Sequence, residues 1–295
     1  MKSDRRRRKI VILGHTGFLG SCLYENFSKE IEYEVYGFSS ANVNLSSSKE
    51  CQKLLSVIDK NSTVIMTATS LVKNKDFISF RNDFDMLLNT AEVFSLAGIQ
   101  HLIYISSIAV FGRHSESVIT ESSYPNPDDL YSFSKLLGEQ IFERICRNSG
   151  IHLTILRPGT FYGLNDKTSP FFRFLGGIKS NGEIKIYGDG SSKLFWVHKV
   201  DLCRIIQAAV ASCNPGIYNI VTESEGISLL KLAELMFQIC ALGHRIKIEF
   251  IPSAKVPVDL RFDISKSKSC FSGIKHIKLE DGLKEYLNQT DKKEE

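Results

Sequence analysis

The stretch "KIVILGHTGFLGSCLYENF", Lys9 to Phe27, changes its pattern half-way. "KIVILG" (9–14) is a run of β-branched and aliphatic residues closed by glycine, as expected of a strand buried on both faces. From Phe18 onward the apolar residues take helical spacing at Leu19, Leu23 and Phe27. Between the two lies G-x-x-G-x-x-G, with Gly14, Gly17 and Gly20. Glycines allow a tight turn and a close backbone approach, and the helix start behind them offers N–H groups and a positive dipole end. A strand, a glycine turn and a helix in that order read as a seat for the pyrophosphate of a dinucleotide.

The alternation continues outward. "YEVYGFS" (33–39) reads as a strand, and "SSSKECQKLLSVID" (46–59) as a helix opened by N-cap serines. "STVIMTAT" (62–69) is a strand, "FRNDFDMLLNTAEVFSLAG" (80–98) a long helix stopped by Gly98, and "HLIYISS" (101–107) a strand. "DDLYSFSKLLGEQIFERICRNSG" (128–150) opens on acids, ends near Arg144 and Arg147, and stops at Gly150, which suits the helix dipole; "HLTILRPG" (152–159) follows as a strand. Buried strands alternating with helices predict an α/β fold with a parallel, doubly wound sheet. Beyond residue 161 the pattern loosens and Gly, Ser and Asn cluster in "GGIKSNGEIKIYGDGSS" (176–192). The expected organisation is a basic disordered tail (1–8), a dinucleotide-binding domain (9–160), a smaller C-terminal α/β region (161–290) partly interleaved with it, and a charged tail (291–295).

Bulk properties narrow the class. The 295 residues are 43% hydrophobic and 24% charged, ordinary for a soluble globular chain. Much of the net charge of +4 sits in "KSDRRRRK" (2–9), so the body is near neutral and presents no basic nucleic-acid surface. No run of about 18 apolar residues would span a membrane, and the segment behind the basic run lacks the form of a signal peptide. Seven scattered cysteines without a C-x-x-C pair suggest reduced thiols in the cytoplasm, and seven dispersed histidines give no metal-ligand spacing.

"LYSFSK" (130–135) places Tyr131 and Lys135 one helical turn apart on a shared face. A lysine there lowers a phenol's pKa and makes it a usable proton donor or acceptor. The spacing alone is common, and its surroundings decide. At the end of the second predicted strand, "GFSSAN" (37–42) carries no acid for an adenosine ribose. Ser39 and Ser40 instead suit a 2′-phosphate, which favours NADP over NAD.

The glycine run, "YISSIAVFG" (104–112), "LYSFSK", "LRPGTFYG" (156–163) and "KIYGDG…FWVHKVDL" (185–202) occur in this order. In them the chain resembles the extended short-chain dehydrogenase/reductases, and more narrowly the NAD(P)-dependent nucleotide-sugar epimerases, dehydratases and reductases. The resemblance runs from Lys9 to Leu287 and implies a modified Rossmann fold, a smaller nucleotide-sugar domain and a homodimer formed through residues 82–97 and 130–148. It implies a catalytic set of Ser107, Tyr131 and Lys135. Tyr131 would pass a proton as hydride moves to or from the nicotinamide, Ser107 would hydrogen-bond the reacting oxygen, and Lys135 would bind the nicotinamide ribose. Cofactor contacts are implied at Gly14, Thr16, Gly17, Phe18, Leu19, Gly20, Ser39, Ser40, Asn44, Leu45, Ala68, Tyr131, Lys135 and Pro158, and a family asparagine corresponds by spacing to Asn82. Substrate contacts are implied at Ser107, Asn165, Lys193 and Arg261. For Lys193 and Arg261 a solvated surface cation is the competing reading, and Trp196 and His198 read as structural.

Departures from the family pattern refine the expectation. The 4,6-dehydratases carry an Asp-Glu pair after the catalytic hydroxyl, where this chain has Ile108 and Ala109. Ala109 and Asn165 also replace the cysteine and histidine of reductases that epimerise. The short link after the second strand resembles the 4-keto sugar reductases. The expected activity is therefore NADP(H)-dependent reduction of a nucleotide-activated 4-keto deoxysugar at C4, in deoxysugar and polysaccharide synthesis. The alternatives are an epimerase with retained cofactor and a non-catalytic NAD(P)-binding sensor.

Overall fold

Ile10, Val11, Ile12 and Leu13 are fully buried, and their strand β1 (Arg8–Leu13) lies inside a parallel sheet. A computed structural model of the chain describes residues 7–70, 76–112, 118–240, 247–253 and 259–291. After β1 come α1 (Phe18–Ser28), β2 (Tyr33–Phe38), α2 (Ser48–Cys51), β3 (Ser62–Met66), α3 (Phe77–Ala97), β4 (His101–Ile105), α4 (Leu130–Ser149) and β5 (His152–Pro158). The chain continues through β6 (Thr160–Tyr162), α5 (Pro170–Asn181), β7 (Glu183–Tyr187), β8 (Lys193–Leu194), β9 (Trp196–His198), α6 (Lys199–Ser212) and β10 (Gly216–Ile220). It closes with β11 (Ile227–Ser228), α7 (Leu229–Cys240), β12 (Lys247–Ile251), α8 (Ser265–Cys270) and α9 (Leu279–Asp291).

Two compact units emerge. The first is drawn from the chain before Arg113 together with Tyr124–Arg157 and Cys203–Tyr218. Its sheet has the order β10-β5-β4-β3-β1-β2. The register places Ile10 opposite Val35 on one side and Thr63 on the other, both parallel. The order reverses at β1 and β3, and in open α/β sheets the crevice beyond the strand ends at such a point receives the ligand. Side chains from the sheet and helices, among them Val11, Val64, Leu87, Phe94, Tyr104 and Phe142, form one core. α3 is capped by Asp76, which accepts from the Ser79 N–H at 2.7 Å, and by Gly98 in the left-handed conformation. α4 opens with a capping box of Asp129 and Ser132 and ends at Gly150 with φ of 68°.

The second unit comprises residues 118–123, Pro158–Leu202 and the described residues from Asn219 onward. Three strand pairs build it: β6 with β9 and β7 with β12, both parallel, and β8 with β11, antiparallel. Its core includes Tyr162, Phe171, Ile184, Trp196, Leu232, Met236 and Tyr286. Trp196 therefore packs as a core residue, edge-on to Tyr162 with ring centroids 5.7 Å apart.

The chain leaves the first unit after Arg157 and returns to it at Cys203–Tyr218. There β10 supplies a sixth sheet strand that the looser pattern after residue 161 concealed. The helix expected over 46–59 shortens to α2 and a 3₁₀ turn at Gln52–Ser56. Cys51 and Leu54 are three residues apart, and the 3₁₀ pitch lines such residues up, so both reach the core. Residues 1–6 of the basic tail lie outside the described residues, but Arg8 and Lys9 belong to β1. Lys9 Nζ donates to the Val57 carbonyl and to Asp59, both at 2.7 Å, which ties the start of β1 to the segment leading into β3.

Candidate active site

The glycine turn after β1 is held by its own backbone. The Gly14 N–H donates to the Phe38 carbonyl at 2.7 Å, and the Gly17 N–H to the Gly14 carbonyl at 2.9 Å. Gly14 has φ of +94°, and a Cβ there would lie 2.7 Å from Thr67 Oγ1 and 2.9 Å from the Ala68 nitrogen. A Cβ on Gly20 would lie 2.1 Å from the Gly14 carbonyl oxygen. Both positions thus require glycine, and the turn brings the end of β1 against Ala68, just after β3. No side chain caps α1 at Gly17 and no acid stands in its first turn, so the positive dipole end is not neutralised by the helix itself. This cradle fits a dinucleotide pyrophosphate. Thr16 is exposed, Phe18 half-buried and Leu19 buried along its rim.

At the end of β2 the Ser39 N–H donates to Asn42 Oδ1 at 2.6 Å, while Ser40 is exposed. No carboxylate stands between Gly37 and Ser48. Asn44 is exposed and its Oδ1 accepts from Ser46. The Leu45 side chain belongs to the core and its carbonyl accepts from Asn89 Nδ2 at 3.0 Å, so Leu45 has already committed both.

Ser107, Tyr131 and Lys135 come together in the first unit. Ser107 follows β4 and is 9% exposed, and its Oγ accepts from the Ala109 N–H at 3.1 Å. It also hydrogen-bonds the Tyr131 hydroxyl. Lys135, one turn further along α4, is buried. Its Nζ donates to the Ile105 carbonyl at 2.9 Å and lies 5.8 Å from the Tyr131 ring centroid. Burial pushes the Tyr131 phenol up to about 12, with Asp129 and Asp83 adding to the rise and the Ser107 hydrogen bond opposing it. Burial also pushes the Lys135 ammonium down to about 8, against the pull of Asp83 and Glu139. At neutral pH the trio is a phenol hydrogen-bonded to serine beside a largely protonated lysine.

The structure adds groups that the sequence reading passed over. Asn82 is exposed, and the inward position of α3 belongs to Asp83, which is 2% exposed. The buried face of α3 runs through Ser79, Asp83, Met86, Leu87 and Thr90, so helical spacing puts residue 83 inward and residue 82 outward. Helical spacing thus sets the Asp83 side chain, one position beyond Asn82, against the first unit's interior. One turn beyond Lys135, Glu139 and Arg157 form a buried pair: Arg157 Nε donates to Oε1 at 2.9 Å and Nη2 to Oε2 at 2.6 Å. Ser106 Oγ donates to the same Oε1 at 2.5 Å. Positions 131, 135 and 139 share one helix face, so the four-residue step that marked Tyr131 and Lys135 also marks Glu139.

In the second unit each predicted cation has an acid beside it. Lys193 Nζ lies 2.6 Å from Asp259 Oδ1, and Arg261 Nε 3.0 Å from Glu225 Oε1. Asn165 is exposed with φ of 70° and follows β6, and Pro158 closes β5. His198 is buried and its Nδ1 accepts from the Val200 N–H at 3.4 Å, a structural role. Among the described residues no cluster of His, Cys, Asp or Glu is arranged to hold a metal ion.

The model of the NAD dependent epimerase/dehydratase family matches residues 10–221, more than two thirds of the chain. The chain belongs to that family. A UDP-glucuronate 4-epimerase of Thermodesulfobacterium geofontis is 26% identical over 68% of this chain and 62% of its own length. An uncharacterised UDP-glucose epimerase of Bacillus subtilis is 26% identical over 93% of this chain and 95% of its own. A Sinorhizobium fredii protein of uncharacterised function is 31% identical, but the match spans 37% of that protein's length. The fold agrees with a UDP-glucuronic acid 4-epimerase of Bacillus cereus solved with a substrate analogue and NAD, at TM-score 0.83 and 23% identity, covering 96% of this chain and 99% of the other. It agrees equally with a dTDP-glucose 4,6-dehydratase of Bacillus anthracis solved with NAD, at TM-score 0.82 and 17% identity, covering 97% of each.

Proposed function

We propose that this protein is a nucleotide-sugar 4-epimerase that works by transient oxidation at C4. The observation that carries the reading is the gathering of Ser107, Tyr131 and Lys135 with no proton-transferring side chain at Ile108 or Ala109. The set serves removal and return of hydrogen at one carbon and lacks the acid–base pair that elimination of water needs. Tyr131, in its ionised form, takes the proton of the sugar hydroxyl and later returns it. Ser107 donates to the same oxygen, and its hydrogen bond lowers the phenol pKa against the rise that burial imposes; Lys135 binds the nicotinamide ribose. A nicotinamide dinucleotide held at the Gly14–Gly20 turn and by Lys135 would supply the hydride acceptor and donor. A relative named as a UDP-glucuronate 4-epimerase and one named as an uncharacterised UDP-glucose epimerase support this reading over the reductase expected from sequence.

Net reduction of a 4-keto sugar is the second reading, favoured by the short link from β2 to α2. NADP is favoured by the absence of a carboxylate after β2, and NAD by the company the chain keeps. Assembly as a homodimer in the cytoplasm is part of the proposal. Exposed Phe77, Ile78, Phe84, Leu88 and Leu96 on α3, with Phe133 on α4, offer an apolar face for it.

The test is incubation of purified protein with UDP- and dTDP-hexoses and their uronic acids, with NAD or NADP. Epimers formed without net NAD(P)H change, and lost in Tyr131→Phe, support the proposal. Stoichiometric NAD(P)H oxidation with a 4-keto sugar and no epimer formation transfers the assignment to the reductase.

A further inference from the structure

Asp83 is a carboxylate buried within reach of the catalytic helix. Its Oδ1 accepts from the Ser70 N–H and Ser70 Oγ, both at 2.6 Å. Its Oδ2 accepts from Thr69 Oγ1 at 2.8 Å and from Ser134 Oγ, the residue before Lys135, at 3.2 Å. Four donors fill the lone-pair sites of a carboxylate, which in its ionised form only accepts. All four donors are neutral, so they solvate the charge without cancelling it.

Lys135 is ringed by other groups. β4 gives it the Ile105 carbonyl and the Tyr104 ring, whose centroid is 5.4 Å from Nζ. α4 contributes Tyr131 and Glu139, and Glu139 is bonded in turn to Arg157 of β5. The Glu139 charge is matched by the two-pronged Arg157 contact. α3 contributes Asp83, whose negative charge is opposed by none of its four bonding partners. We infer that Asp83 is a positioning residue that acts by charge: it keeps the buried Lys135 side chain an ammonium beside Tyr131. The inference rests on the proposed roles of Tyr131 and Lys135.

A negative charge raises the pKa of each neighbour. Asp83 does so for both Lys135 and Tyr131, opposing burial at the first and adding to it at the second. Removing the charge while keeping the shape should therefore lower both. Asp83→Asn suits this purpose, because its amide accepts on one side and the Thr69 and Ser134 hydroxyls can rotate to accept on the other.

The direct test follows the Lys135 side-chain ¹⁵Nζ resonance against pH by NMR, assigned by its loss in Lys135→Arg. The wild-type midpoint is expected near 8. In Asp83→Asn, and in the equally neutral Asp83→Ser, it should fall by about one pH unit or more, a tenfold change. Ser134→Ala removes one hydrogen bond but keeps the charge, and its midpoint should not fall. A midpoint held in both neutral variants, or an equal fall in Ser134→Ala, overturns the inference. The pH dependence of cofactor affinity gives a second readout: in Asp83→Asn the affinity should begin to decline at a lower pH than in wild type. A moved midpoint with no nucleotide sugar turned over refutes the proposed function and leaves the role of Asp83 standing. Turnover with an unmoved midpoint does the reverse.

Discussion

Replacing Arg157 with methionine tests whether α4 is fastened to the sheet by charge. Glu139 and Arg157 are only 4% and 3% exposed, so the substitution leaves a buried carboxylate with Ser106 Oγ as its remaining donor. Removing one partner of such a pair costs about 3–5 kcal/mol, because the other charge stays desolvated. Arg157 also lies over the Phe111 ring at 5.0 Å, a contact worth about 1 kcal/mol or more when desolvated. Methionine restores much of the lost volume, so the electrostatic part should dominate. Equilibrium urea unfolding reads this directly. With an m-value of about 3 kcal/mol/M, the midpoint should drop by 1 M or somewhat more. The double variant Glu139→Leu/Arg157→Met removes both charges and should recover most of the loss, since apolar replacement of a buried pair is often near neutral. A single variant within about 1 kcal/mol of wild type, or a double variant as unstable as the single, would refute the reasoning.

Other expectations follow from the same geometry. Tyr131→Phe should lower kcat/KM by about 10²–10⁴ with little change in cofactor affinity, measured by steady-state kinetics and calorimetric titration. Gly20→Ala forces a Cβ to 2.1 Å from the Gly14 carbonyl oxygen. The turn must open, with about 1–3 kcal/mol lost in unfolding experiments and cofactor binding abolished in calorimetry. Buried His101 is held down to about 4, chiefly by desolvation, whereas in the unfolded chain it titrates near 6.5. The unfolded state therefore binds the extra proton between those values. The His101 contribution to stability should be constant above about pH 7, fall as the pH drops through 6.5, and level off below 4, losing roughly 3 kcal/mol at 1.36 kcal/mol per pH unit. Urea midpoints taken from pH 7.5 to 4.5 should show this slope in wild type and a shallower one in His101→Gln.

The parallel sheet was legible because its strands are buried on both faces. "KIVIL", "STVIM" and "HLIYI" leave no polar face to confuse with anything else, and Gly98 and Gly150 mark helix ends by chemistry rather than by statistics. β10 was harder. Its five residues, "GIYNI", carry a buried asparagine and arrive after the chain has spent some fifty residues in the second unit, so no alternation announces them. At the site, Ser107, Tyr131 and Lys135 could be read from spacing and resemblance. Asp83 went unremarked although the period of α3, through Ser79, Asp83, Met86 and Thr90, places it on the buried face. The Glu139 and Arg157 contact crosses from helix to strand, and no local period encodes it. The acids beside Lys193 and Arg261 were hidden for the same reason, since Asp259 and Glu225 become partners only through the tertiary fold.

The return of the chain to its first unit at Cys203–Tyr218 also sets a schedule for synthesis. A ribosome releases β5 long before β10, so the nascent sheet carries an unpaired edge along His152–Pro158 while more than fifty further residues emerge. An uncovered apolar edge of parallel strands is a template for wrong pairing, and parallel pairing is slow to correct it. Stalled translation products ending near residue 200 should therefore associate with chaperones more strongly than products that extend past residue 220.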